Sequence, residues 1–332
     1  MLNNKSILIT GGTGSFGHHF VDYVLKHYKP KKIIIYSRDE FKQFNMQNEY
    51  KEHLDVLRFF IGDVRDKERL MRALNGVDYV IHAAALKQVP ACEYNPIEAI
   101  KTNIGGACNV IDACLDKGVK KVVALSTDKS VSPANLYGST KMVSDKLFAA
   151  ANAYSGANGT VFSVVRYGNV AGSRGSVIPF FQNIIDKGGR QLPITDYRMT
   201  RFWISLEEGV KLVIKALEES RGGETFISKI PSFKITDLAQ AMLPGCEMPE
   251  VGIREGEKLH EVMVPEEDSA HTYEYENHFI IYPNYDWWHP EFVIPGGKKV
   301  EPGFVYSSGN NKEWLSIEDI KAKLLTDLDK HA

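Results

Sequence analysis

The sequence predicts an α/β fold, a doubly wound parallel sheet with a smaller mixed α/β unit beside it, on three observations. A short strand-like run, Ile7-Leu8-Ile9-Thr10, passes straight into a glycine-rich turn, Gly11 to Gly17, and then into a helical stretch. Strand-length apolar runs then alternate with helix-length amphipathic segments to about Leu147, the order expected of parallel strands joined by crossover helices. After a further strand near Arg166 the alternation breaks down. These observations assign residues 1–170 and about 202–228 to a dinucleotide-binding, Rossmann-type domain. They assign about 171–201 and 229–332 to a smaller mixed α/β substrate-binding domain.

The first strand feeds a G-x-x-G-x-x-G loop, Gly11-Gly12-Thr13-Gly14-Ser15-Phe16-Gly17, with a helix expected from about His18 to Lys26. Glycines there let backbone turn tightly and approach a pyrophosphate at a positive helix N-terminus. Gly11, Thr13, Gly14, Ser15, Phe16 and Gly17 are therefore candidate cofactor residues. The second strand, Lys32 to Tyr36, ends at Ser37-Arg38, with Lys42 one turn on. An Asp or Glu normally closes this strand when the ribose 2′-hydroxyl of NAD is held. Its absence beside two cations suits a 2′-phosphate, so NADP is expected, although Asp39 and Glu40 also allow a plain solvated turn.

A third strand, Val56 to Ile61, ends at Asp63-Val64, the expected adenine edge. A fourth, Val77 to His82, ends in Ala83-Ala84-Ala85, whose small side chains let a cofactor lie on backbone; Lys87 follows, facing cofactor or substrate. Asn95-Pro96 opens a helix expected to run through Cys114, with Asn103 in either a structural or a proton-relay role. The buried run Val122 to Leu125 then ends in Ser126-Thr127-Asp128-Lys129, and Pro133 and Asn135 turn the chain into a helix carrying Tyr137 and Lys141. A spacing of four puts these two on one helix face. An ammonium beside a phenol favours the phenolate, so Lys141 is expected to lower the Tyr137 pKa. Thr127, Asp128, Lys129, Tyr137 and Lys141 are the candidate catalytic residues, the last two also touching cofactor.

Further on, Val161 to Arg166 is a strand followed by Tyr167-Gly168-Asn169-Val170, Gly172 to Gly175 a flexible basic loop, and Val177 the start of a helix. Ser205 caps a helix to about Glu219, with Glu207 and Glu208 suiting its N-terminal dipole. Gly222 to Ile227 offers one more strand, Tyr282 to Val305 loops and short strands, and Ser316 opens a closing helix.

Bulk properties narrow the function. With 332 residues and a formal net charge of −2, the chain has room for a sizeable core and gives no sign of a nucleic-acid or membrane partner. Cys92, Cys108, Cys114 and Cys246 form no C-x-x-C pattern and read as reduced thiols, with no metal site. No signal peptide and no apolar run of membrane-span length is visible, so a cytoplasmic location is expected.

The Gly11/Gly14/Gly17 loop, the Ser-Thr strand end, Tyr137-x-x-x-Lys141 and Tyr167-Gly168-Asn169 together resemble the extended short-chain dehydrogenase/reductase family, from Ile7 to His260. Within it the chain looks most like the inverting UDP-N-acetylglucosamine 4,6-dehydratases of pseudaminic acid synthesis. Ser-Thr-Asp-Lys, Tyr36-Ser37-Arg38-Asp39-Glu40, Met199-Thr200-Arg201-Phe202-Trp203 and the Arg254 to Glu261 segment carry that finer likeness. The related membrane-anchored and 5-epimerising enzymes carry Met at the Tyr137 position. The usual proline of the Arg-x-Gly-Glu segment is Glu255 here. The resemblance implies that Tyr137 takes the C4 hydroxyl proton, with Thr127 bonding at C4 and Lys141 holding the nicotinamide ribose. It implies Lys129 as base at C5 and Asp128 as acid at the C6 hydroxyl. Asn169, with Arg201 or Arg254, is implied at the diphosphate and nucleotide, Glu257 at the nucleotide ribose, and Lys87, Val177 and Thr200 elsewhere on the UDP-sugar. A homo-oligomer, dimer or hexamer, is expected. A nucleotide-sugar 4-epimerase, which needs Tyr-Lys but not Asp-Lys, and a non-catalytic NADP-sensing protein are the alternatives.

Overall fold

The structure is a computed structural model that describes residues 1–156, 159–172, 176–254 and 256–327. The chain opens with β1 (Ser6–Thr10), α1 (Ser15–His27), β2 (Lys32–Ser37), α2 (Glu40–Glu49), β3 (Leu57–Ile61), α3 (Lys67–Ala73) and β4 (Tyr79–His82). Three helices follow, α4 (Val89–Tyr94), α5 (Pro96–Ile100) and α6 (Gly106–Lys117), then β5 (Lys121–Thr127), α7 (Leu136–Ala150) and β6 (Val161–Tyr167). After them come α8 (Val177–Asp186), β7 (Thr200–Phe202), α9 (Leu206–Glu219), β8 (Thr225–Ser228), β9 (Ser232–Lys234) and α10 (Ile235–Met242). The chain closes with β10 (Val262–Val264), β11 (Thr272–Glu274), β12 (His278–Ile281), β13 (Lys298–Lys299), β14 (Tyr306–Ser307) and α11 (Ile317–Thr326).

One sheet runs β13-β11-β12-β8-β6-β5-β4-β1-β2-β3. From β3 to β8 every pairing is parallel; β12, β11 and β13 add antiparallel. Strand order reverses between β1 and β4, which opens a crevice at the carboxyl ends. Period-two alternation explains the apolar runs, because both sheet faces are covered. Ile7 and Ile9 of β1 pack with Phe20 and Val24 of α1 and Val213 of α9, while Leu8 packs with Val110 of α6 and Phe148 of α7. A separate core, with Ile178, Phe181, Trp203, Phe233, Leu238 and Ile320, binds α8, α10 and α11 into a smaller lobe. No helix among the described residues is long and apolar enough to cross a membrane.

Several elements depart from expectation. The first helix begins at Ser15 rather than His18, since Gly14 is already its extended N-cap. The helix expected through Cys114 is broken into α5, a π-helical turn at Lys101–Gly105, and α6, which runs on to Lys117. Helix α4 was not expected; six residues are too short to show a helical period. The expected boundary at 229 does not bound the sheet: β12 pairs antiparallel with β8 and satisfies backbone groups that would otherwise form a free edge. Of the basic loop only Gly172 falls within the described residues; Ser173 to Gly175, like Glu255, lie outside them.

Candidate active site

A cleft of about 1220 Å³ runs from the glycine loop, along the carboxyl ends of β4, β5 and β6, to the 254–261 segment. At one end Gly11 turns with φ +67°, and a Cβ there would sit 2.9 Å from the Ala84 backbone. A Cβ on Gly17 would lie 2.0 Å from the Gly12 carbonyl oxygen. Only glycine fits, so the loop presses onto β1 and bares the N-terminus of α1, which has no acidic residue in its first turn and no side-chain cap. That cradle fits a dinucleotide pyrophosphate. Gly11, Thr13, Gly14, Ser15, Phe16, Ser37, Arg38, Lys42, Asp63, Val64, Ala83, Ala84, Ala85 and Lys87 line it; Gly17 acts by packing.

Ser37 is buried and shares a 2.9 Å hydrogen bond with Thr13. Arg38 stays exposed, 3.9 Å from Asp63. Burial raises the Asp63 pKa, but hydrogen bonds from Arg65 outweigh it and hold the carboxyl below its ordinary value. Beneath the alanines, buried His82 bonds Thr10 at 2.8 Å, and burial with Lys141 nearby pushes its pKa down to about 3.

The chemistry-bearing groups meet where β5 ends. Asn135 caps α7 by accepting from the Gly138 N–H at 2.8 Å. Gly138 is required by close packing: a Cβ would lie 2.1 Å from the Lys129 carbonyl oxygen. This contact sets Tyr137 against the Asp128–Ser130 turn. Asn103 is held firmly in place: it accepts from Leu86 N at 2.8 Å and donates to Leu86 O and Thr140 Oγ1, both at 2.9 Å. Thr140 in turn donates to the Tyr137 carbonyl at 2.8 Å.

The expected Lys141-to-Tyr137 effect is not what the structure shows. Burial pushes the Tyr137 phenol up to about 12; Lys129 and Thr127 act to lower it, and Asp128 and Asp145 to raise it. The cation acting on the phenol is Lys129. Lys141 is itself buried, which lowers its pKa against the opposing pull of Asp145. Lys129 Nζ lies 3.2 Å from Asp128 Oδ1 and 3.4 Å from Glu261 Oε1. Burial opposes its charge, but the two carboxylates prevail and raise its pKa. A resting ammonium is no base, so Lys129 must shed a proton before it can accept one. Asp128 is fully buried and accepts from the Thr127 hydroxyl at 2.8 Å.

The 254–261 segment closes the far end. Asn135 donates to the Gly256 carbonyl at 2.9 Å, and Lys258 donates to that of Val131. Arg254 and Glu257 pair across 3.9 Å and line the cleft with Asn169, Val177 and Arg201. Asn169 Oδ1 is buried without a hydrogen-bond partner among the described residues, which suits a ligand contact. Thr200 is the exception. Its hydroxyl turns inward to His260 Nδ1 and Ser308 Oγ, both at 2.8 Å, because adjacent residues of a strand point to opposite sides. Two groups, Glu261 and Asp145, were given no role from the sequence. Glu261 reaches the cleft from a distant segment; Asp145 accepts from Ser126 at 2.5 Å and lies 3.9 Å from Arg166. For Asp145, its place one helical turn beyond Lys141 was an available signal.

Comparison with known proteins agrees with this geometry. The model of a family described as polysaccharide biosynthesis protein matches residues 7–283. A UDP-N-acetylglucosamine 4,6-dehydratase (inverting) of Campylobacter jejuni is 58% identical over 326 residues, 96% of this chain and 97% of its own. A UDP-glucose 4-epimerase of Rickettsia canadensis is 43% identical over 334 residues, 98% of this chain and 97% of its own. Among solved structures, Pen from Bacillus thuringiensis superposes with a TM-score of 0.87 at 38% identity, over 98% of this chain and 99% of that one. The dTDP-glucose 4,6-dehydratase DesIV from Streptomyces venezuelae, with NAD bound, has a TM-score of 0.66 at 24% identity, over 76% and 86%, and shows the fold alone. With a family match along most of its length and near full-length relatives, the chain belongs to the polysaccharide biosynthesis protein family, within the extended short-chain dehydrogenase/reductases.

Proposed function

We propose that this protein is an NADP-dependent inverting 4,6-dehydratase of UDP-N-acetylglucosamine, supplying a 4-keto-6-deoxy sugar for pseudaminic acid synthesis. The observation that carries the reading is a second acid–base unit, Asp128-Lys129, set beside Tyr137 in one cleft. A 4-epimerase has no use for it. The 58% identity to an enzyme of that name supports it.

With its pyrophosphate in the glycine cradle, the bound dinucleotide would supply hydride acceptance and return through its nicotinamide. Tyr137 carries the proton at the sugar O4, with Thr127 beside it and Lys141 directed to the cofactor ribose. Once C4 is a ketone the C5–H is acidic, and the Asp128-Lys129 unit serves there and at the departing C6 hydroxyl. Two carboxylates flank Lys129, so its proton has acceptors on both sides, and the group titrates as a unit. Arg201, Arg254 and Asn169, which line the cleft, would hold the diphosphate, and Glu257 the nucleotide ribose. Arg38, just past β2, and Lys42, in the first turn of α2, are exposed cations that would favour the 2′-phosphate of NADP.

The test is incubation with UDP-N-acetylglucosamine in deuterium oxide without added cofactor. The expected product has lost water, carries deuterium at C5 in the L-arabino configuration, and holds at C6 the hydride that left C4. Return of hydride to C4, with the C6 hydroxyl kept and no deuterium at C5, would establish the epimerase that the Rickettsia relative's name suggests. Lys129→Ala is expected to stop C5 exchange above a boiled-enzyme background.

A further inference from the structure

Glu261 stands immediately before β10 and is 3% exposed. Its Oε1 lies 3.4 Å from Lys129 Nζ and 3.6 Å from Arg201 Nε. Its Oε2 is buried and has no hydrogen-bond partner among the described residues. Ser308 fixes the backbone from both sides, accepting from Glu261 N at 2.9 Å through its hydroxyl and donating its own N–H to the Glu261 carbonyl at 2.8 Å. Burying a carboxylate is costly unless it is paired. Here one anion is held between a cation of the acid–base turn and a cation of β7, whose guanidinium is itself anchored on the Thr200 and Leu259 carbonyls.

We propose that Glu261 is a positioning residue for the proton chemistry of the site: it aims the Lys129 amine, sets the pH at which that amine gives up its proton, and links it to Arg201. The proposal rests on the dehydratase reading only for what the amine then acts upon. Around Lys129 stand Asp128 on its own turn, Tyr137 of α7, Arg201 of β7, and Glu261 and Lys258 of the segment before β10. The two carboxylates favour the ammonium, and Arg201 and Lys258 oppose it. Without Glu261, one anion faces two cations.

Glu261→Gln keeps the volume and removes the charge. Acetic anhydride labelling of the full chain at graded pH, with Lys129 followed by mass spectrometry, reads the amine's half-protonation pH without requiring turnover. Glu261→Gln is expected to lower that midpoint by about 1 unit or more, a tenfold change in acid dissociation. Glu261→Asp, its carboxylate drawn back by one methylene, is expected to fall between the two and carries the test alone if the glutamine variant does not fold. The acid limb of kcat for water loss from UDP-N-acetylglucosamine is expected to move down by the same interval, with KM little changed. A Lys129 midpoint unchanged in a variant that keeps the wild-type melting transition overturns the proposal. A shifted midpoint, in a protein whose wild type leaves the sugar intact, supports the hold of Glu261 on Lys129 and removes the dehydratase reading instead.

Discussion

Tyr137 is sheathed by Thr127, Asp128 and Lys129, and burial keeps its phenol neutral to about pH 12. A folded-state value above the unfolded one, roughly 10, has a definite sign. The neutral phenol contributes stability fully below pH ~10, and that contribution is lost as pH rises through about 12. Wild type is therefore expected to lose melting temperature relative to Tyr137→Phe between those limits, and a difference titration by ultraviolet absorbance should show the Tyr137 phenolate near the upper one. On the proposed function, the same substitution removes the group that carries the O4 proton. Turnover is expected to fall by roughly 10²–10⁴-fold, with UDP-sugar binding retained in calorimetry. Near wild-type turnover would reduce Tyr137 to packing.

At the scale of elements, the turn between β1 and α1 depends on Gly17, whose place a Cβ would drive 2.0 Å from the Gly12 carbonyl oxygen. Gly17→Ala is expected to cost about 1–3 kcal/mol by overpacking, read in thermal melts, and to loosen dinucleotide binding, read by dialysis of the purified protein. On the proposed NADP reading, the end of β2 selects the cofactor. Arg38→Asp would place a carboxylate where NAD-binding strands carry one, and is expected to reverse an NADP preference measured by titration. An unchanged preference in the variant would remove Arg38 from the 2′-phosphate site. Helix α9 tests a purely local device: Ser205 and Glu208 form a complete capping box, so Ser205→Ala is expected to cost about 1 kcal/mol in denaturant unfolding.

For the whole molecule, the smaller lobe hangs on α11 as much as on its own β-pairs. Ile320 is fully buried in the lobe's core, and Trp203, which lines the cleft, donates its indole N–H to Asp327 at 3.0 Å. Ile320→Ala is expected to cost about 2–5 kcal/mol and to shift tryptophan fluorescence to the red, with substrate affinity falling before cofactor affinity. Equal loss of both would mean that the two lobes melt as one unit. What the sequence by itself determined lies within a few residues of itself: the alternation of strand and helix, the glycine loop, the Ser205 and Ser316 helix starts, and Tyr137 and Lys141 on one face of α7. Propensity, periodicity and capping act over a turn or two, so they can be read along the chain. Only the tertiary structure decided that β11 to β13 would complete the main sheet. It also decided that the Thr200 hydroxyl would turn away from the cleft, and that Lys129 rather than Lys141 would be the cation at the Tyr137 phenol. Glu261 reaches Lys129 across 132 residues of chain. Burial and charge act through space, and no spacing along the sequence encodes which distant groups the packing will bring within a few ångströms of each other.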